Sequence, residues 1–343
     1  MLELTEMIAA YIAGWDYPFL LQAIFGTTEP LTIAGIIDTF CASELGSSIA
    51  QPLFFECSQG AVFGLLLHNH QRIVIKAHHP RRSTEFLNAV VRVQHHLADH
   101  SYPCPRPLLD TRPLSNGHAS VEELIDEGIY TDAHDPAIRR SMAEMLAWLI
   151  NLTRNPESIP GLHLSALDRR LPPALLWPIP HNAIFNFEAT TAGAEWIDDL
   201  AQQAKEVMSQ SPGEYVLGHT DWSVKHLRYL NGHVRVIYDW DSLALDIEPV
   251  FVGDAARGFT MTWFLDVPIL PTRAEAQAFI NEYECARGKS FSADEYKTIA
   301  AAATYGLAYG ARCEHSLQPL AGEYPPGSCR DLLIRYGNAF LPY

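Results

Sequence analysis

The sequence predicts an α+β fold in two parts, a small antiparallel sheet followed by a larger and mostly helical region. Three observations carry that reading. Short apolar runs between Pro52 and His78 are punctuated by turn residues, as the strands of a meander are. Beyond Pro136, apolar residues recur at the three- and four-residue spacing of buried helix faces. Within that helical region a few short strands surround Asn231-Gly232, a two-residue hairpin signal.

Composition sets the outer limits. The 343 residues are 48% hydrophobic and 19% charged, enough apolar content for one large or two modest cores. A net charge of −16 argues against a nucleic-acid surface, which needs clustered Lys and Arg to displace phosphate counterions, and suits a neutral or cationic small substrate. The six cysteines (Cys41, Cys57, Cys104, Cys285, Cys313 and Cys329) are scattered without CxxC pairs, so reduced thiols are expected rather than disulfides or structural zinc. No basic segment precedes an apolar core at the start, and no apolar run is long enough for a bilayer. The expectation is a cytoplasmic chain without a membrane partner; its oligomeric state is not legible.

Taken in order, residues 1 to 30 open with Ile8, Ala9, Ile12 and Ala13 at helical spacing, then the turn-prone Asp16-Tyr17-Pro18. A second helix, Leu31 to Leu45, stops at Gly46. Pro52 to Cys57, Val62 to His68 and Arg72 to His78 then form a three-stranded meander, with turns at Ser58-Gln59-Gly60 and His68-Asn69-His70. Residues 83 to 99 make an amphipathic helix with Phe86, Val90, Val93 and Leu97 on one face. The prolines of Tyr102 to Leu108 stop it and keep the chain extended. Val121 to Ile125 reads as the last strand of the small sheet.

Further helices are expected at Ile138 to Leu152, burying Met142, Met145, Leu146 and Leu149, and at Ala194 to Ser209, with Trp196, Leu200 and Val207 inward. Between them, residues 153 to 193 are irregular and include Leu171-Pro172-Pro173; Trp177, Phe185 and Phe187 either line a cleft or join the core. The tail predicts helices at Ala274 to Arg287, Ala293 to Gly310 and Asp331 to Phe340.

The chemistry concentrates between Tyr215 and Asp246. A strand at Tyr215 to Leu217 runs into Gly218-His219-Thr220-Asp221; the hairpin Leu227 to Tyr238 follows and ends on Asp239-Trp240-Asp241. Carboxylates and histidines at strand ends are held firmly while their tips stay accessible, the arrangement that positioned acid, base and metal-ligand groups require. The reading is a phosphoryl-transfer site.

His219-x-Asp221, His226 five residues on, the hairpin and Ile237-Tyr238-Asp239-Trp240 together resemble the catalytic and metal-binding segments of aminoglycoside phosphotransferase-like kinases. That family includes antibiotic, choline and sugar kinases and is distantly similar to protein kinases. The resemblance implies a two-lobed protein kinase-like fold, with a small lobe over residues 1 to 125 and a larger helical lobe over 126 to 343. By it, Asp221 accepts the proton of the substrate hydroxyl and Asp239 holds magnesium against the phosphates. His226 stands where the family usually has a magnesium-binding asparagine. Asp241 is an auxiliary ligand or a loop hydrogen-bonder, if Asp-Trp-Asp is an extended strand with both carboxylates on one side.

In the small lobe, the resemblance puts Gly60 in the phosphate-covering turn, though glycine is also the default residue of any tight hairpin. Lys76, ending the apolar run Ile73-Val74-Ile75, reaches an α- or β-phosphate, or else lies in solvent on an edge strand. Glu85 either orients Lys76 or is a first-turn acid stabilised by the helix dipole. Backbone groups from Glu123 to Ile125 would meet the adenine edge. In the helical tail, Glu275, Glu282, Glu284 and Glu314 either meet a cationic acceptor or lie on solvated faces. The activity implied is ATP- (or GTP-) and magnesium-dependent phosphorylation of a hydroxyl on a small molecule such as an amino sugar or aminoglycoside. Two alternatives stand beside it: a kinase-like binding pseudoenzyme, motivated by His226, and a transition-metal hydrolase using His219, Asp221, His226 and Asp239.

Overall fold

Five antiparallel strands, β1 (Ile49–Cys57), β2 (Gly60–Leu67), β3 (Arg72–His78), β4 (Pro107–Leu114) and β5 (Gly117–Glu123), form one sheet in the order β1-β2-β3-β5-β4. The expected meander is its first three strands. The proline-bearing β4 takes the edge, where a missing N–H costs least, and β5 is inserted beside β3. This computed structural model describes residues 2–14, 19–154, 159–165, 176–180, 182, 184–319 and 324–342. The chain divides into two units, Met1–Asp126 with Ile159–Gly161, and Glu127–Ser158 with Leu162–Tyr343.

In the first unit, strand alternation sorts the sheet into two faces. Phe63, Leu65, Ile73, Ile75, Ala77, Ala119 and Val121 form a core with three helices, α1 (Leu2–Ala13), α2 (Phe19–Phe25) and α3 (Pro30–Glu44). The opening residues thus serve as the cover of one sheet face; the Asp16-Tyr17-Pro18 turn lies outside the described residues. The other face carries Val74, Lys76, Ser120 and Glu122, and α4 (Thr84–Asp99) reaches it through Gln94. Ser83 caps α4 by accepting the Phe86 N–H at 3.2 Å, satisfying one of the amides a helix start leaves open.

The second unit contains α5 (Pro136–Leu152), α6 (Glu195–Gln210), α7 (Glu248–Gly258), α8 (Arg273–Arg287), α9 (Ala293–Leu317) and α10 (Cys329–Tyr336). Two strand pairs are set among them. β6 (Tyr215–His219) pairs with β9 (Leu243–Ile247), and β7 (Leu227–Leu230) with β8 (His233–Ile237). Asn231 and Gly232 take φ of 53° and 81°, the left-handed pair that a two-residue hairpin needs. Helices α7 and α9 approach closely: a Cβ on Gly253 would lie 2.2 Å from the Ile299 carbonyl oxygen.

Three helix expectations are corrected. On α6 the inward stripe is Ile197, Ala201, Ala204 and Met208, and Val207 is exposed; the small alanines admit α9 where the larger Trp196 and Leu200 would hold it off. Helix α9 runs on past Gly310, because that glycine makes room for Cys329 rather than ending the helix. The last helix ends at Tyr336, since Gly337 (φ 54°, ψ −127°) leaves helical geometry. No single helix among the described residues is long and apolar enough to cross a membrane; α2 and α3 pass that test only as a bent pair, and Leu21, Ile24, Ile33 and Ile37 on them are core residues. All six cysteines are free.

Candidate active site

Strand β6 delivers the chain to Asp221. At its end the buried His219 joins two loops: Nδ1 accepts the Asp221 N–H at 3.2 Å, and Nε2 donates to the Tyr238 carbonyl at 3.3 Å. Burial holds this imidazole below its ordinary range, against the attraction of Asp239, which suits a neutral ring with one donor and one acceptor nitrogen. Backbone bonds complete the anchoring. Val224 N–H donates to Phe259 O at 2.8 Å and Tyr238 N–H to His226 O at 2.9 Å.

Asp221 is held from two sides. His226 Nε2 is 2.9 Å from its Oδ2, and Lys225 Nζ is 3.0 Å from Oδ1 and 2.8 Å from Oδ2. Burial pushes the carboxyl upward, but the hydrogen bond and charge of His226, followed by Lys225, outweigh it and hold Asp221 well below the usual carboxylate range. Asp221 is therefore ionised at neutral pH. It is still 38% exposed, so an incoming hydroxyl can meet it. Lys225 also sits 4.8 Å from the ring centroid of Trp263, an exposed tryptophan, in cation–π geometry.

Asp239 follows β8 in the left-handed conformation, φ 66° and ψ 44°, which is uncommon for a residue with a Cβ and concentrates at functional sites. Its Oδ2 accepts from Ser242 Oγ at 2.6 Å and lies 3.7 Å from His226 Nε2. The buried Trp240 fixes the bend by donating Nε1–H to Ile237 O at 2.8 Å. Asp221, His226 and Asp239 thus present ligand atoms within 4.8 Å of one another, a donor set that fits a divalent cation. His219 is not part of that set. Nor is Asp241: the left-handed Asp239 and the 3₁₀ turn Trp240–Ser242 replace the extended strand that would align the two carboxylates.

In the first unit, Lys76 pairs with Glu122 on the neighbouring strand β5, Nζ to Oε1 at 3.3 Å, and Gln94 Nε2 holds Oε2 of the same carboxylate at 2.9 Å. Both members of the pair are largely buried, so the edge-strand alternative for Lys76 fails. Glu85 makes no ion pair with it. That residue belongs to the first turn of α4, its side chain and carbonyl packed where a Cβ on Gly161 would lie, and the dipole alternative stands for it. Gly60 begins β2 because a Cβ there would come within 2.8 Å of Ala77 O; close approach explains the residue. The Glu123 N–H is committed to Arg106 O at 3.0 Å and the Leu124 N–H to Arg72 O at 3.1 Å, which removes the Glu123 N–H from any adenine contact. Regular pairing ends there, before Ile125.

The glutamates considered for a cationic acceptor are all engaged within the helical unit. Glu275 bonds His134 at 2.8 Å, Glu282 forms a two-pronged pair with Arg139 at 2.9 Å, Glu284 takes the Tyr296 hydroxyl at 2.8 Å, and Glu314 takes the Cys329 N–H at 2.8 Å. Asp254 accepts from Arg257 Nε at 2.9 Å and acts in helix packing. Trp177 and Phe187 join Tyr305 and Tyr309 of α9 in an aromatic cluster; Leu171-Pro172-Pro173 lies outside the described residues. Sequence reasoning missed Glu122, Gln94, Ser242 and Lys225. Only Lys225 carried a local signal, a lysine in the loop directly after Asp221.

A lysine-bearing antiparallel sheet, and a helical unit whose strand ends carry the Asp221, His226 and Asp239 cluster, are the parts of a protein-kinase-like, two-lobed phosphotransferase. Residues 62–293 match the model of the phosphotransferase enzyme family; the chain belongs to that family and is a small-molecule kinase. No curated protein matches the chain in sequence. Among solved structures it is similar to a spectinomycin phosphotransferase in complex with ADP and spectinomycin (13% identity, TM-score 0.59, covering 89% of this chain and 98% of that one). It is also similar to an amicoumacin kinase in complex with AMP-PNP and Ca2+ (11%, 0.57, 88% and 93%) and to an ethanolamine kinase of Plasmodium vivax (12%, 0.55, 86% and 84%).

Proposed function

We propose that this protein transfers the γ-phosphoryl group of ATP to a hydroxyl of a small molecule, with Asp221 orienting that hydroxyl and taking its proton. The observation that carries this is the Asp221–His226–Asp239 cluster, with Lys225 on the base. A carboxylate held as low as Asp221 is a weak base, which suits a loose transition state: the hydroxyl's proton is released late, and the side chain's main work is alignment. Asp239 is assigned to a divalent cation, which would neutralise phosphate charge when bound. Lys76, held by Glu122, is assigned to the α- or β-phosphate.

The acceptor class is a hydroxylated compound, neutral or cationic, in keeping with the net charge of −16. Amino sugars and aminoglycosides are the first to screen; what the similar proteins bind supports that choice without fixing it. The test is ATP consumption across such a panel with wild type and Asp221→Asn. Acceptor-dependent turnover should fall by about 10²–10⁴-fold in the variant. Equal turnover of the two proteins would remove Asp221 from this role.

A further inference from the structure

We infer that the cation of this site is bound through the imidazole of His226 as well as the carboxylate of Asp239, so that the centre favours a first-row transition ion over magnesium; this rests on the phosphotransferase reading. His226 Nε2 lies 2.9 Å from Asp221 Oδ2 and 3.7 Å from Asp239 Oδ2. Adjacent ligands of an octahedral ion with bonds of about 2.1 Å stand about 3 Å apart. The 2.9 Å contact is the hydrogen bond of Nε2 to Asp221, and the 3.7 Å gap to Asp239 Oδ2, somewhat wider than a ligand spacing, sets the nitrogen next to the carboxylate assigned to the ion. The ring is steadied there, only 18% exposed, with the His219 ring 5.9 Å away and its own carbonyl accepting the Tyr238 N–H one residue before Asp239.

An amide side chain offers a donor and an acceptor from one carbon and can hold the base and an ion together. An imidazole presents one nitrogen to the site, and that nitrogen either donates a proton or binds a metal. In the structure Nε2 serves Asp221. Lys225 contacts both oxygens of the same carboxylate, so Asp221 keeps its counter-charge and its orientation when Nε2 turns to an ion. The second holder of the base releases the histidine for the metal. Magnesium takes oxygen ligands and dehydrates reluctantly, whereas affinity for a nitrogen ligand rises from manganese through cobalt, which sets the direction of the preference.

The experiment uses the full chain with ADP, Mn2+ as the paramagnetic probe and 15N-labelled histidine, read by pulsed electron paramagnetic resonance. Co2+ and Mg2+ affinities are measured in parallel by calorimetry. A 15N coupling to bound Mn2+ that disappears in His226→Asn, with at least a tenfold fall in the Co2+ to Mg2+ affinity ratio, is the expected result. Metal-dependent ADP binding without any histidine coupling in wild type would overturn the inference and leave the phosphotransferase reading standing. Absence of any metal-dependent ADP binding would overturn both. A wild-type spectrum without histidine coupling overturns the inference even if His226→Asn does not fold, and His226→Gln then replaces His226→Asn in assigning a coupling that is seen.

Discussion

Two lysine–carboxylate pairs invite comparison, Lys76–Glu122 in the sheet unit and Lys225–Asp221 in the helical unit. The first is made by two residues distant in sequence and brought together by strand order; Glu122 is 5% exposed and is also held by Gln94. The second is made within one loop, and its carboxylate is 38% exposed. Burial ties the first pair to the stability of the sheet as well as to the phosphate role proposed for Lys76, since removing one partner breaks an ion pair largely out of water. Exposure leaves the second pair free to tune Asp221, the base proposed here, at modest cost to folding. The same two charges thus do different work according to how much water reaches them.

The largest effect expected from that difference is at Glu122. Glu122→Ala should destabilise the protein by about 3–5 kcal/mol, because it removes the buried carboxylate that both Lys76 and Gln94 hold. Glu85→Ala, on the exposed first turn of α4, should stay within about 0.5 kcal/mol of wild type. Chemical denaturation of both variants checks the contrast, and similar losses would return Glu85 to consideration as the partner of Lys76.

Lys225→Met should act on the chemistry instead. Removing the ammonium raises the Asp221 carboxyl, so the acid limb of the rate profile should move to higher pH, with turnover at neutral pH reduced about tenfold. An unmoved limb would mean that His226 alone sets the charge state of the base.

These pairs also show what the sequence disclosed. Asp221, His226 and Asp239 lie within one short run of chain whose hairpin signal is local, so their grouping was readable before any fold was known. Asp239 in its left-handed bend was not, because nothing in Asp-Trp-Asp announces a turn in place of a strand. Glu122 was hidden by topology: β5, not its sequential predecessor β4, lies against β3. The inner face of α6 was misplaced because Ala201 and Ala204 look less apolar than Trp196 and Leu200, while close approach of α9 rewards small side chains. Four glutamates that resemble solvated helix faces are internal ties, and their partners, such as Arg139 for Glu282, come from other helices or distant turns.

A smaller effect is expected at His134 and Glu275, far in sequence from the base. Burial lowers His134, but the bond to the Pro268 carbonyl and the Glu275 carboxylate outweigh it, so its pKa is raised above 6.5; that of Glu275 is lowered below 4.5. A raised histidine contributes stability that is complete below its unfolded value and disappears as pH rises through the folded one; a lowered carboxylate loses its share as pH falls. The pair should therefore stabilise most between those two values. Comparing Tm of wild type and His134→Asn from below pH 6.5 to alkaline pH should show a difference worth about 1 kcal/mol or less that shrinks as pH rises through the raised His134 value. A constant difference would contradict the ionic account.

The division of labour between Asp221 and Asp239 is the central claim, and calorimetric titration of a non-hydrolysable ATP analogue, with and without a divalent cation, tests it most directly. Asp239→Asn should weaken cation-dependent nucleotide binding at least tenfold, while Asp221→Asn should bind within about threefold of wild type and fail to turn over. The reverse pattern, binding lost with Asp221 and kept without Asp239, would contradict the account.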